Sequence, residues 1–262
     1  MGDSEMKPVG DAVSALITEN AIVPNAIVPN AIVPNAIVPN AIVPNALSPG
    51  TLDSASLAAI QATGARGDLS RMFLKYLVGC ALDPAQSFSF SWTDAANVVH
   101  NETYWGSVGL APGWASAALT DETKQRLVSG CLAGRTNYYG TSVTISMRAP
   151  QNPLKRDVPA EEMAAYPDVE GAFWGNLFTS SPYLYACYNA ANEQTARAAL
   201  RVCATGVLAD GGQLLPCGAI ALAGACDAVC PNLGGGGKFY TSCSDPPGSS
   251  GSTNVVITTA LP

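Results

Sequence analysis

Two carboxylates, Asp168 and Glu170, stand two residues apart just before the aromatic stretch AFWGN. An acid and a base or nucleophile bracketing a sugar bond is the equipment of a glycosidase. Residues two apart share a face on a strand and diverge on a helix. A strand here would therefore pair the carboxylates, whereas a helix opening after Pro167 would make Asp168 its cap and Glu170 a first-turn acid. His100, in VVHNETYWG, is the single histidine. Its ordinary pKa suits a general base near neutral pH, and its place beside a turn suits a structural role equally well. Trp105, Trp114 and Trp174, with Tyr138 and Tyr139, offer either a platform for stacking sugar rings or packing for the interior. GGGGK at 234–238 is not a phosphate loop, because position 232 is Asn where the motif needs Gly and Phe239 stands where it needs Ser or Thr. No zincin, serine-hydrolase elbow or Rossmann pattern is present.

Eight cysteines, Cys80, Cys131, Cys187, Cys203, Cys217, Cys226, Cys230 and Cys243, form an even set in a chain rich in Gly and Pro. This pattern points to disulfides made in an oxidising compartment. Spacing alone leaves the connectivity open. A zinc site on Cys226 and Cys230 is the alternative, since CDAVC has a permitted ligand spacing. With the one histidine far away in sequence and no second close pair, no metal and no cofactor is expected.

Of the 262 residues, 13% are charged, about half the usual share of roughly 25%. Such a surface fits an exported protein. The net charge of −7, with no basic cluster, argues against nucleic acid as a partner. No apolar run is long enough to span a membrane, so no transmembrane segment is expected. MGDSEMKPVG lacks the basic start and apolar run of a signal peptide. GDSE would suit the residues that follow a lipid-bearing Cys in a mature bacterial lipoprotein, with Met1 in that Cys's place.

Between residues 20 and 46 the phrase AIVPN is repeated five times. Proline at 24, 29, 34, 39 and 44 excludes a continuous helix, and each preceding Val is pushed toward extended geometry. Asn after Pro favours a tight bend. Five is odd, so an unbent strand would send successive Ile residues to opposite faces; one bend per copy lets like stack on like. The unit resembles pentapeptide-repeat β-helices and elastin-like pentads, although its adjacent Ile and Val and its recurring Pro depart from the first. Self-association would run through Asn25, Ile27, Val28, Asn30, Ile32, Val33, Asn35, Ile37, Val38 and Asn40. A spacer whose copy number grew by replication slippage is a second reading, and a precursor whose Asn-terminated pentads are excised as peptides is a third.

From residue 50 the pattern changes. GDLSRMFLKYLVGCALDP predicts a helix capped by Asp68 and stopped by Pro84, and ALTDETKQRLVSGCLAGRTNYYG predicts one capped by Thr120 and ended by Gly140. The likeness of YLVGCAL to RLVSGCLA suggests two helices side by side, which motivates a Cys80–Cys131 bond with the other six cysteines pairing among themselves. Alternation predicts strands in SFSFSW, TSVTISMR and residues 254–259, and AEEMAAY reads as a short helix. The fold class is α+β: a polar tether over 1–19, the repeat over 20–50 and a Cys-rich domain over 51–262.

GLAPGW (109–114), the LVSGCLAGRTNYYG helix followed by VTISMR, EGAFWGNLF (170–178) and the Cys-rich tail resemble secreted or lipoprotein-type proteins of myxobacteria and related bacteria that carry N-terminal Asn-containing pentads. The likeness spans most of residues 68–260. It implies a cell-surface address and no particular activity. The expected function is that of an extracellular or cell-surface structural or adhesive protein, forming a homo-oligomer or filament through the repeat or using it as a spacer. The alternative is a secreted protein that binds or hydrolyses a cell-envelope glycan through Asp168, Glu170 and nearby tryptophans.

Overall fold

The structure is a computed structural model that describes the backbone of residues 16–20 together with residues 47, 50–52, 54–151, 153–154 and 158–262. The pentad positions 25–40 named for self-association lie outside the described residues. In chain order the elements are β1 (Leu16–Asn20), α1 (Ser54–Gln61), α2 (Gly64–Ala81), β2 (Ser87–Thr93), β3 (Val99–Trp105), α3 (Glu122–Gly134), β4 (Val143–Arg148), α4 (Ala160–Ala165), β5 (Asp168–Asn176), β6 (Tyr183–Tyr188), α5 (Glu193–Ala198), β7 (Ile220–Ala225), α6 (Cys226–Val229) and β8 (Ile257–Leu261). The mixed α+β class follows directly from these elements.

A six-stranded sheet in the order β1-β4-β8-β5-β6-β7 forms the middle layer, antiparallel throughout except between β6 and β7. On one side α3 lies against it, and α2 packs on α3 and on the β2–β3 hairpin. Leu77, Val78, Leu127, Val128, Phe173 and Ile257 are buried in a single core there. Two glycines let α3 approach closely: a Cβ on Gly130 would lie 2.8 Å from Ile257 Cγ1, and one on Gly134 would lie 3.2 Å from Thr259 Cγ2. On the other side the C-terminal tail packs Cys226, Cys230, Tyr240 and Cys243 against Val169, Ala172 and Trp174 of β5 and Cys187 of β6. Covered on both faces, β5 is buried along all but its first residue.

All eight cysteines are paired, Cys80 with Cys131, Cys187 with Cys226, Cys203 with Cys217 and Cys230 with Cys243. The first bond joins α2 to α3, as their matching sequences suggest.

Several boundaries differ from the sequence expectation. The α2 helix begins at Gly64, whose φ of 71° turns the chain out of α1, and Asp68 holds Arg71 one turn later at 2.5 Å where a cap was expected. Asp121, one residue past the expected Thr120, caps α3 by accepting from the Lys124 amide at 3.2 Å. That helix stops at Gly134, because Thr136 returns its hydroxyl to the Leu132 carbonyl; Gly140 closes a separate turn on Asn137. The last strand is shifted to Ile257–Leu261. Asp168 and Glu170 lie on β5, so the helix opening after Pro167 does not form.

Candidate functional site

The carboxylate pair is split by a bulge. Thr259 of β8 faces Gly171 and Ala260 faces Val169, so Glu170 is the extra residue on β5. A bulge re-aims the side chain it inserts. Here it sends Glu170 to the helix side, where one oxygen, Oε2, accepts from Arg201 Nη2 at 2.8 Å, from Arg201 Nε at 3.2 Å and from the Thr259 hydroxyl at 2.8 Å. Arg201 also donates to the carbonyls of Gly134 and Thr136 at the end of α3, where a cation complements the helix dipole. Both side chains are fully buried. Asp168, half-buried, begins the strand beyond the bulge. Glu170 is thus an internal clamp between sheet, helix and the segment after α5, with no access for a sugar.

His100 sits on the inner face of the β2–β3 hairpin. Its Nε2 lies 2.9 Å from Asp94 Oδ2 and its ring stacks on Trp92 with centroids 4.4 Å apart. The Arg71 guanidinium carbon lies 3.6 Å from the centroid of the same indole. Arg71 and His100 thus both pack on Trp92. Arg71 reaches back to the carbonyls of Ile60 and Ala62, tying the end of α1 to the hairpin. Asp94 builds the turn by accepting from the amides of Ala96 and Val98. The His100 hydrogen bond, followed by the Val98 amide, holds the Asp94 carboxyl below its ordinary value. The histidine is therefore a partner of the turn acid and a packing neighbour of Trp92.

The aromatic set divides in two. Trp114 and Trp174 are buried core residues, whereas Trp105 is 62% exposed and Tyr138 and Tyr139 are exposed as an edge-to-face pair. Trp105 ends the outer face of the hairpin. Along that face Ser89 and Thr103 share a hydroxyl hydrogen bond at 2.9 Å and Ser91 donates to Asn101 at 2.7 Å. Beside Trp105 is a hollow of about 290 Å³ whose walls include Lys75, Thr103 and Arg135. Gly79 also lines it, and a Cβ there would lie 2.9 Å from Arg135 Nη1. Its lining mixes Lys75, Thr103 and Arg135 with the aromatic Tyr76 and Trp105, and the β2–β3 ribbon that carries Trp105 is held to α2. Here an exposed candidate aromatic, Trp105, meets solvent beside a concave surface.

Burial also pushes the Tyr104 hydroxyl up to about 12, so it stays protonated under this hairpin. The Ser and Thr alternation of SFSFSWT carried the signal for the outer face. The role of β3 was hidden, because its inward residues His100, Glu102 and Tyr104 are polar or amphipathic and give no apolar alternation.

Comparison of the chain with protein-family models, with curated proteins and with solved structures returns no match.

Proposed function

We propose that the protein is an extracellular or cell-surface structural or adhesive protein, a rigid disulfide-held body preceded by a repeat that self-associates or spaces it from the cell envelope. The observation that carries this reading is the use of every cysteine in a disulfide, three of the four bonds lying within the stretch from Cys187 to Cys243. Such bonds persist in oxidising surroundings and supply what short strands and loops cannot bury. No helix among the described residues is long and apolar enough to cross a membrane, which is compatible with that address. The repeat adds three apolar residues in every five, too many for a freely solvated linker. Deleting residues 21–45 tests the role of the repeat: the shortened chain should keep its fold but lose assembly or surface placement. Unchanged filaments, oligomers and localisation would remove the repeat from the function.

Glycan binding is a second reading, favoured by Trp105 at the end of the Ser89–Thr103 and Ser91–Asn101 ladder. Stacking of a sugar on an open indole beside fixed hydroxyls needs no catalytic carboxylate. Trp105→Ala should abolish binding on a glycan array while leaving the thermal unfolding curve unchanged. Binding retained by that variant would remove the hairpin from consideration.

A further inference from the structure

The two disulfides on the tail side of the sheet touch each other. Cys187 Sγ lies 3.5 Å from Cys230 Sγ, although these two cysteines belong to different bonds. The sulfurs of Cys187, Cys226 and Cys230 all fall within 4.8 Å of one another, and all three are buried. They come from separate elements: Cys187 from β6, Cys226 from the first residue of α6 and Cys230 from the residue that ends it. One helical turn, closed by the Cys230 amide on the Cys226 carbonyl, sets the last two side by side. Cys243 is bonded to Cys230 but is not among the three mutually close sulfurs, so it would join them only by swinging in once its bond is reduced.

In a tetrahedral zinc site with Zn–S bonds of about 2.3 Å, the sulfurs lie about 3.8 Å apart. The 3.5 Å contact between Cys187 and Cys230 is close to that spacing and the third sulfur lies within 4.8 Å, while the bonded Cys187 and Cys226 part on reduction. We propose that Cys187, Cys226, Cys230 and Cys243 in their reduced form make a closed tetrathiolate site for one zinc ion, so that metal and disulfides are two alternative closures of the same cluster. Two dithiol molecules each give two electrons to one disulfide and become disulfides themselves, leaving four thiols. Binding Zn²⁺ then releases four protons as the thiols become thiolates. Burial under Trp174, Val229 and Tyr240 leaves no open coordination position, so the metal is structural. The tail can in this way hold its fold against the sheet before oxidation, independently of the compartment in which the mature protein resides.

The test uses the full chain, reduced by a dithiol under argon, freed of reductant and titrated with Co²⁺ as the probe, then with Zn²⁺ in competition. One Co²⁺ per chain should bind with thiolate charge-transfer and tetrahedral d–d bands, and the near-ultraviolet circular dichroism lost on reduction should return with it. Cys203→Ser/Cys217→Ser should bind in the same way, and Cys80→Ala/Cys131→Ala serves the same purpose if that variant does not fold. Cys226→Ser/Cys230→Ser should lose at least a hundredfold in affinity. The proposal is overturned if this last variant binds Co²⁺ as tightly as the parent, if metal binds without restoring the aromatic signal, or if the reduced chain takes up none.

Discussion

The two faces of the central sheet are stabilised by different means. On the helix side the described core holds thirty-eight buried residues, of which four are half-cystines; on the tail side it holds eleven, again with four. The helix side thus depends mainly on apolar area and the tail side mainly on covalent bonds. The elements explain why. Helices α2 and α3 each present a continuous apolar stripe, whereas residues 230–253 form two-residue strands and Gly-rich turns that cannot make one. Each face also encloses a charged group. Glu170 and Arg201 meet on the helix side as a buried ion pair made through one carboxylate oxygen, while on the tail side Glu162 accepts from the Ser146 hydroxyl, to which Arg148 also donates. One sheet thereby shows an apolar core tolerating a buried ion pair and a small cystine core tolerating a buried acid.

The largest effect expected is the loss of one member of the helix-side pair. Arg201→Ala should cost about 3–5 kcal/mol, because it leaves the Glu170 charge buried without its cation. It should also release two carbonyls at the end of α3. Chemical denaturation checks the value. The double variant Glu170→Ala/Arg201→Ala should cost clearly less than the sum of the two single changes, and additivity would show that the pair does not act as a unit.

Next in size are the disulfides, which test the contrast most directly. Cys80–Cys131 and Cys187–Cys226 close chain segments of 51 and 39 residues, so loop entropy alone predicts similar losses of about 2–4 kcal/mol for either. The consequences should differ in place. Without Cys80–Cys131 the helices retain their apolar contact, and the chain should still unfold in one step. Cys187→Ala/Cys226→Ala should free the tail while the helix side stays folded, seen as early hydrogen exchange and proteolysis confined to residues 226–253. Uniform protection across both faces would erase the distinction.

Smaller again is an added methyl at the helix–sheet contact. Gly130→Ala places a Cβ 2.8 Å from Ile257 Cγ1 and 3.1 Å from the Phe173 carbonyl, and such overpacking should cost about 1–3 kcal/mol. Gly236→Ala on the tail side meets no neighbouring atom, so its cost should come only from the φ of 74°.

The same contrast explains what the sequence revealed. The stripes of α2 and α3 and the Ser/Phe alternation of β2 are local patterns, and each is legible because one face is wet and the other dry. β5 has no wet face. Its run EGAFWGN therefore carries no alternation, and an acid after Pro167 looks like a helix cap. The bulge at Glu170 depends on β8, and the Arg201 partner lies 31 residues away, so neither is visible from local spacing. Trp105 and Trp174 have the same residue type and similar glycine-flanked contexts. Only the number of layers over each strand separates the exposed one from the buried one.

The smallest effect expected is a change in how stability depends on pH, and it belongs to the tail side. Burial raises the Glu162 carboxyl above its ordinary 4.5, opposed by the Ser146 hydrogen bond and by Arg148, while burial lowers Arg148. Both groups are thus pushed toward neutrality, the opposite of what a strong pair would show. The folded state holds the Glu162 proton over a pH range in which the unfolded chain has released it. Its contribution is therefore fully present below 4.5 and is lost as pH rises through the folded value. Glu162→Gln keeps the shape and cannot ionise, so it should match the parent in acid and exceed it in stability as pH rises past that window. Urea unfolding across the range measures the difference. A variant less stable than the parent at high pH would mean that the ionised acid is held by Arg148 after all, and that the tail face carries a true ion pair like the one opposite.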